Sequence, residues 1–435
     1  MTSAGQHDVV LRPHERIDDK LISLNDRSGI TVLRGATVID GIGGVQPDAT
    51  VVIDGTRIRS VDGPAGAPAV PAGARVLDLA GLTVLPGLID AHIHFLGKVT
   101  TQEGMAQLHP APDLRFLRAA FELHETLTFG VTTVRALGHG PAEHTYALRA
   151  AVREGLIRGP RIQTSGWALS QSGGHGDVPV LPTAWVEEHW PRSAFCDGEV
   201  ECRRMVRRNF GEGADLIKVY SSDNRGGLAD FTVAELTAIA DEAHRRGCAV
   251  ATHSKTHESI RNALLAGIDT IEHGASEVHP DLLDTMAEQG AYLVPTLATV
   301  HRLAVEGREW NATTATIERC KRELDGRQRV VAAAIERGVN IMTGSDAAAR
   351  AGFGLLSTRE LALLVDAGMS TMGAVAAATS TAAAGLRLDQ HIGSVTAGKV
   401  ADLIVVAGDP LADIAILQDR ARLRYILQTD EALTN

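Results

Sequence analysis

The stretch Leu85-Pro86-Gly87-Leu88-Ile89-Asp90-Ala91-His92-Ile93-His94-Phe95 decides how the rest of the chain is read. An apolar run that starts just past a proline and ends in His-x-His reads as a buried barrel strand with polar groups at its tip. Residues two apart on a strand share a side, so His92 and His94 aim one way while Ile93 turns into packing. Two imidazoles aimed at one point outline a metal claw. A bare His-x-His is as readily two histidines that happen to alternate. The polar residues that later strands bring to their C-terminal ends tip the balance.

Working outward, the middle of the chain alternates strand and helix. Strand candidates fall at residues 83–95, 130–137, 161–169, 214–220, 249–253, 270–273, 291–297 and 340–345. Helical patterns lie between them, at 114–128, 146–156, 233–246 and 259–266, and two more (359–367 and 372–385) close the region. Thr232 with Glu235, and Ser357 with Glu360, have capping-box spacing. Eight strands alternating with helices predict a (β/α)8 TIM barrel, an α/β fold whose active site lies at the C-terminal strand ends. Two connections are long, 170–196 and 298–315, and long loops on that face are lids or specificity loops.

Toward the ends the texture changes. Short β-rich runs at 30–40, 49–54, 57–61 and 74–79 are separated by Gly- and Pro-rich turns, and 393–406 has the same character. The expected organisation is a small β-sandwich domain built from both chain ends (30–84 and 386–430), a catalytic barrel (85–385) and an N-terminal extension (1–29).

A chain of 435 residues suits a barrel with a small companion. The net charge of −11 argues against nucleic acid as a partner. Residues 1–29 are polar with no apolar signal core, and no run could span a bilayer, so no membrane association is expected. Cys196, Cys202, Cys248 and Cys320 show neither CxxC spacing nor a pairing, which predicts reduced thiols and a cytoplasmic protein.

The strand tips carry the chemistry. The first gives His92 and His94, the fourth Lys218 inside Leu216-Ile217-Lys218-Val219, the fifth His253, the sixth His273 and the eighth Asp346. Singly, a strand-end His can be a hydrogen-bonded core residue, Lys218 can snorkel to the surface and Asp346 can be a helix N-cap. Six such residues, all at C-terminal strand ends, are hard to obtain by chance.

With these motifs the chain resembles the amidohydrolase superfamily, and within it the prolidase- and imidazolonepropionase-like binuclear hydrolases. The matching pieces are Pro86-Gly87-Leu88-Ile89-Asp90-Ala91-His92-Ile93-His94, Gly130-Val131-Thr132-Thr133-Val134-Arg135, Ser172-Gly173-Gly174-His175-Gly176-Asp177, Gly213-Ala214-Asp215-Leu216-Ile217-Lys218, His253, Ile271-Glu272-His273-Gly274, Gly344-Ser345-Asp346 and Gly398-Lys399-Val400-Ala401-Asp402-Leu403. The resemblance implies two divalent metal ions, with Lys218 carboxylated by CO2 to a bridging carbamate. His92, His94 and Asp346 would hold one ion, and His253 and His273 the other. A metal-bridging hydroxide would attack the scissile carbonyl, with Asp346 as proton shuttle. Zinc suits the mixed N/O ligands best. A homo-oligomer is also implied. Mononuclear deaminases on this scaffold lack the bridging lysine and carry a glutamate three residues after the fifth-strand histidine, where this chain has Thr256.

For substrate contact the candidates are His175 in a Gly-rich loop, Arg135 as a bidentate carboxylate fork or else a buried structural ion pair, and Tyr220 on the side of Lys218. His257 reads as an ordinary first-turn helix residue. Three positions depart from dipeptidase-type relatives: Ala136 replaces an Asp, Ser221-Ser222-Asp223-Asn224 replaces a Gly-Gly segment, and Phe353-Gly354 replaces a His-Gly pair. The expectation is therefore a small-molecule amidohydrolase of N-aryl amides, ureas or carbamates. An Xaa-Pro or Xaa-Arg dipeptidase and a cyclic amide hydrolase are the alternatives, and a non-enzymatic barrel scaffold is remote from them because the ligand set is complete.

Overall fold

Gly87 divides the run that opens the reading. The computed structural model describes residues 20–24, 29–66, 68–95, 112–177, 182, 184–185, 193–223, 228–310, 312–348, 352–429 and 433. Its first strands are β1 (Leu21–Ser23), β2 (Ile30–Ile39), β3 (Val45–Asp54), β4 (Arg57–Asp62), β5 (Arg75–Asp78) and β6 (Leu82–Pro86). After Gly87 comes β7 (Leu88–His94), which belongs to a different sheet. The expected single strand over 83–95 is thus two strands. A side chain at position 87 would lie 2.1 Å from Thr132 Oγ1, so only glycine lets the chain turn there against β8 (Val131–Ala136).

The remaining strands are β9 (Arg161–Thr164), β10 (Leu169–Ser170), β11 (Ala194–Phe195), β12 (Ile217–Tyr220), β13 (Val250–Ser254), β14 (Thr270–His273), β15 (Tyr292–Val294), β16 (Asn340–Ile341), β17 (Ala347–Ala348), β18 (Leu403–Ala407) and β19 (Leu423–Gln428). They form a four-stranded sheet ordered β17-β7-β8-β9 and a seven-stranded sheet ordered β11-β10-β12-β13-β14-β15-β16, both wholly parallel. Backbone bonds join the two sheets at both seams: Asp215 N donates to Thr164 O at 2.8 Å, and Ala91 N to Thr343 O at 2.9 Å. These strands are buried on both faces, as parallel strands covered by helices must be.

Both chain ends meet in one eight-stranded mixed sheet, β1-β19-β18-β6-β2-β3-β4 with β5 beside β2. It closes over its own apolar cluster, which includes Leu33, Val51, Ile53, Val84, Leu403 and Leu427. Residues 21–23, expected within a polar extension, pair in parallel with β19; most of 1–29 lies outside the described residues. The two packed units are tied by Arg161, whose Nη1 donates to Asp402 Oδ2 at 2.5 Å.

Several local expectations are corrected. The expected loop 298–315 contains the helix Leu297–Glu306, and the run 372–385 is two helices, Thr371–Ala377 and Ser380–Gly385. Thr232 and Glu235 do form a capping box. Ser357 and Glu360 do not, because the helix Leu355–Asp366 begins two residues before Ser357 and their side chains serve the interior instead. Part of the long loop after the third strand candidate lies outside the described residues; the rest supplies β10 and β11. All four cysteines are free thiols. Among the described residues no helix is long and apolar enough to cross a membrane.

Candidate metal centre

The C-terminal ends of the parallel strands bring His92, His94 and Asp346 to one point. Nε2 of His94 stands 3.2 Å from Nε2 of His92 and 3.2 Å from Oδ1 of Asp346, and His92 Nε2 is 3.7 Å from that same oxygen. All three residues are buried. Three donors at these separations suit a shared divalent ion with bonds of about 2.0–2.2 Å. The far side of each ring is fixed: His92 Nδ1 donates to Glu272 Oε2 at 2.6 Å, and His94 Nδ1 to the Gly138 carbonyl at 3.3 Å. Such outer partners set the tautomer that presents Nε2 to a metal. Burial above all pushes the His92 imidazole down to about 3, so it is neutral, the form that ligates.

The other expected residues continue the cluster. The His273 ring centroid lies 4.9 Å from that of His92 and 4.5 Å from that of His253. His273 Nδ1 is 2.8 Å from Thr296 Oγ1, and burial followed by the neighbouring His253 drives its pKa well below the ordinary value. Lys218, on β12 in register with Ala251, is fully buried, with Nζ 5.7 Å from the Tyr220 ring centroid. His175 packs its ring 4.2 Å from His253 and 4.4 Å from Tyr220, and its backbone N–H is held by Asp230 at 2.9 Å. The donor set of buried imidazoles and a carboxylate, with outer partners in place at His92, His94 and His273, fits divalent metal.

Of the two readings of Arg135, the structure shows the buried ion pair. Arg135 does not offer a fork to a ligand: the guanidinium is fully buried, with Nη2 2.8 Å from Glu272 Oε1 and Nε donating to the Ala91 carbonyl at 2.7 Å. Burial would raise the Glu272 carboxyl, but Arg135 and then His92 hold it down at about 2. Arg135 therefore anchors the carboxylate that orients His92.

Sequence reasoning missed several contributors. Asp90 accepts from the His92 and Ser345 backbone N–H groups and from the Ser345 and Ser357 hydroxyls, at 2.5–3.1 Å, which stitches β7 to the segment bearing Asp346. Glu360 accepts the Leu297 and Ala298 N–H groups at 2.9 and 2.6 Å, so the helix that begins after Thr296 is capped from another helix. His139 Nδ1 lies 3.3 Å from the Tyr220 hydroxyl and its ring 5.3 Å from that of His94. Lys255, two residues past His253, pairs with Glu323 at 2.7 Å, and Arg327 shares that carboxylate. The signal for Glu272 was present: it is a charge inside an apolar strand, and a buried charge needs a partner, although the sequence does not identify that partner. Thr256, at the position where the deaminases were expected to carry a glutamate, is the N-cap of His257–Leu265.

Backbone strain concentrates here. Among the described non-glycine residues with positive φ, His139, His273, Thr296 and Asp346 all belong to this cluster. Conformations of that kind persist only where surrounding contacts over-determine them, and they gather at functional sites.

Comparison with known proteins gives a consistent answer. Residues 83–426 match the model of the amidohydrolase family. An ochratoxinase from Aspergillus niger is 28% identical over 431 residues, covering 93% of this chain and 87% of that protein. The crystal structure of A. niger ochratoxinase superposes with a TM-score of 0.81 at 27% identity, covering 92% of this chain and 94% of that one. A Xaa-Pro dipeptidase crystallised with methionine in its active site gives 0.80 at 30% identity, covering 91% and 99%.

Proposed function

Since the chain belongs to the amidohydrolase family, with its TIM-barrel scaffold, and is a hydrolase of carbon–nitrogen bonds, we propose that it cleaves an amide-type C–N bond of a small molecule at the strand-end cluster. The observation that carries this reading is the convergence of His92, His94 and Asp346 donors within 4.8 Å of one another. In this reading those three would hold one divalent ion, His253 and His273 would hold a second, and Lys218, if carboxylated by CO2, would offer carbamate oxygens to them. Zinc is the ion that best suits these ligands. When bound, the ions supply Lewis acidity and a water acidified toward neutral pH.

The chain's own residues do the rest. Asp346 accepts the water's proton at its carboxylate and returns it to the leaving nitrogen, which departs as a neutral amine. Its Oδ1 lies 3.2 Å from His94 Nε2 and 3.7 Å from His92 Nε2. Tyr220 and His175, packed beside His253, position the substrate. The free cysteines suit a reducing compartment.

For the substrate, the withdrawal of Arg135 into an internal ion pair removes the expected carboxylate reader and supports an uncharged N-aryl amide, urea or carbamate. One observation favours a second reading. Lys255 and Arg327 share the single carboxylate of Glu323, and both cations bear on His273. That excess positive charge beside the centre suits an N-acyl amino acid or a dipeptide. The test is turnover by zinc-reconstituted protein on two sets of compounds, uncharged aryl amides, ureas and carbamates against N-acyl amino acids and dipeptides. Turnover of the first set alone supports the uncharged pocket, and of the second set alone the reading through Lys255. No hydrolysis of either by metal-replete protein would overturn the proposal.

A further inference from the structure

We infer that His257, His279 and Asp281 form an additional divalent-metal site, of the zinc, nickel or copper class, separate from the buried centre. His257 opens the helix His257–Leu265 that follows β13, while His279 and Asp281 flank Pro280 at the start of the helix Pro280–Gln289 that follows β14. The cluster therefore lies at the same end of the strands as His253 and His273, but on the outside. Its three donor atoms lie within 4.8 Å of one another. His257 Nε2 is 3.2 Å from Asp281 Oδ2, and the two imidazoles meet edge-on with centroids 4.8 Å apart. Two nitrogens and a carboxylate oxygen at these separations match the mixed N/O set that borderline transition metals take, with water filling the open positions.

Pre-organisation supports the site. The Thr256 capping box fixes the backbone at His257, and Pro280, in the first turn of its helix, locks the segment between His279 and Asp281. Both helices present their positive ends here, which opposes a cation weakly at an exposed site. That penalty weighs against weakly ligated calcium or magnesium, and is small beside two imidazole bonds. The exposed His257–Asp281 contact contributes little to folding by itself, so its removal leaves the protein intact.

The experiment is zinc titration calorimetry on zinc-loaded, desalted protein, with the metal content counted before titration. The wild type is expected to take up one further equivalent. His257→Ala and His279→Ala should each weaken that uptake about tenfold or more while the zinc retained through desalting stays the same. Retained zinc that falls in the variants would place these residues in service of the buried centre and overturn the inference. It is equally overturned if the wild type takes up no further equivalent, or if both variants keep it.

Discussion

Glu272 carries His92 on one carboxylate oxygen and Arg135 on the other, so one buried side chain couples a metal ligand to the charge economy of the interior. Replacing it by glutamine leaves Arg135 buried without an anion. Breaking such a pair costs about 3–5 kcal/mol, and losing an outer partner lowers metal affinity about 10–100-fold. Urea unfolding of metal-free Glu272→Gln and metal dialysis of the refolded protein measure the two effects; a wild-type midpoint with wild-type affinity would show that the pair carries neither. Asp346→Asn is expected to keep the fold and lose turnover by about 10²–10⁴-fold, the usual span for a proton-transfer group; wild-type activity in that variant ends its assignment as the shuttle. Glu360 titrates in the opposite sense from Glu272. Burial raises it from 4.5 to about 8, against the two backbone N–H groups that favour its anion. A carboxyl whose folded pKa is raised contributes most below the unfolded value and loses that contribution as pH climbs through the folded one. Metal-free wild type should therefore lose stability relative to Glu360→Gln between about pH 4.5 and 8, read as urea midpoints at both ends; parallel midpoints would rule it out. Residue types and their spacing placed His92, His94 and Asp346 at strand ends, and the structure brings their donor atoms within 4.8 Å of one another. The partner of Arg135 was hidden for a physical reason: its carboxylate lies 137 positions away in sequence.

At the scale of elements, close approach decides what the strand ends can do. Asp346 N donates to the His92 carbonyl at 2.8 Å, and Gly344 makes that approach possible. A Cβ at 344 would stand 2.4 Å from Val294 Cγ1 and 2.8 Å from His92 Cβ. Gly344→Ala should cost about 1–3 kcal/mol as an overpacked core position and displace His92, so that metal uptake falls together with stability. A variant that folds less stably yet binds metal as the wild type does would separate packing from ligand placement. Period and turn chemistry made most of the elements legible, down to the capping box at Thr232. They failed where tertiary contacts override local signals. Pro86 and Leu88 look continuous in sequence, yet lie in different sheets because Gly87 packs against Thr132. Glu360 mimics a capping residue of its own helix and instead caps Leu297–Glu306.

Across the whole molecule, the expected ligands span residues 92 to 346 and arrive on β7, β12, β13 and β14 and on the segment between β16 and β17. An ion held by His92, His94 and Asp346 ties the first strand of the parallel region to its last, next to the seam where Ala91 N meets Thr343 O. The sheet made from the chain ends has its own apolar cluster and no expected ligand. Metal bound there would act on the parallel sheets directly and on the end sheet only through contacts such as Arg161 with Asp402. A ligand present at 100 times its dissociation constant adds about 2.7 kcal/mol to the state that binds it. Chelation should lower the melting temperature and slow or abolish turnover together, and zinc should restore both. Hydrogen exchange sharpens the expectation. Protection should fall in β7, β13 and β14 on chelation and hold in β2 and β3, whereas an equal loss in both sheets would mean that they unfold as one unit and that the metal stabilises the whole chain.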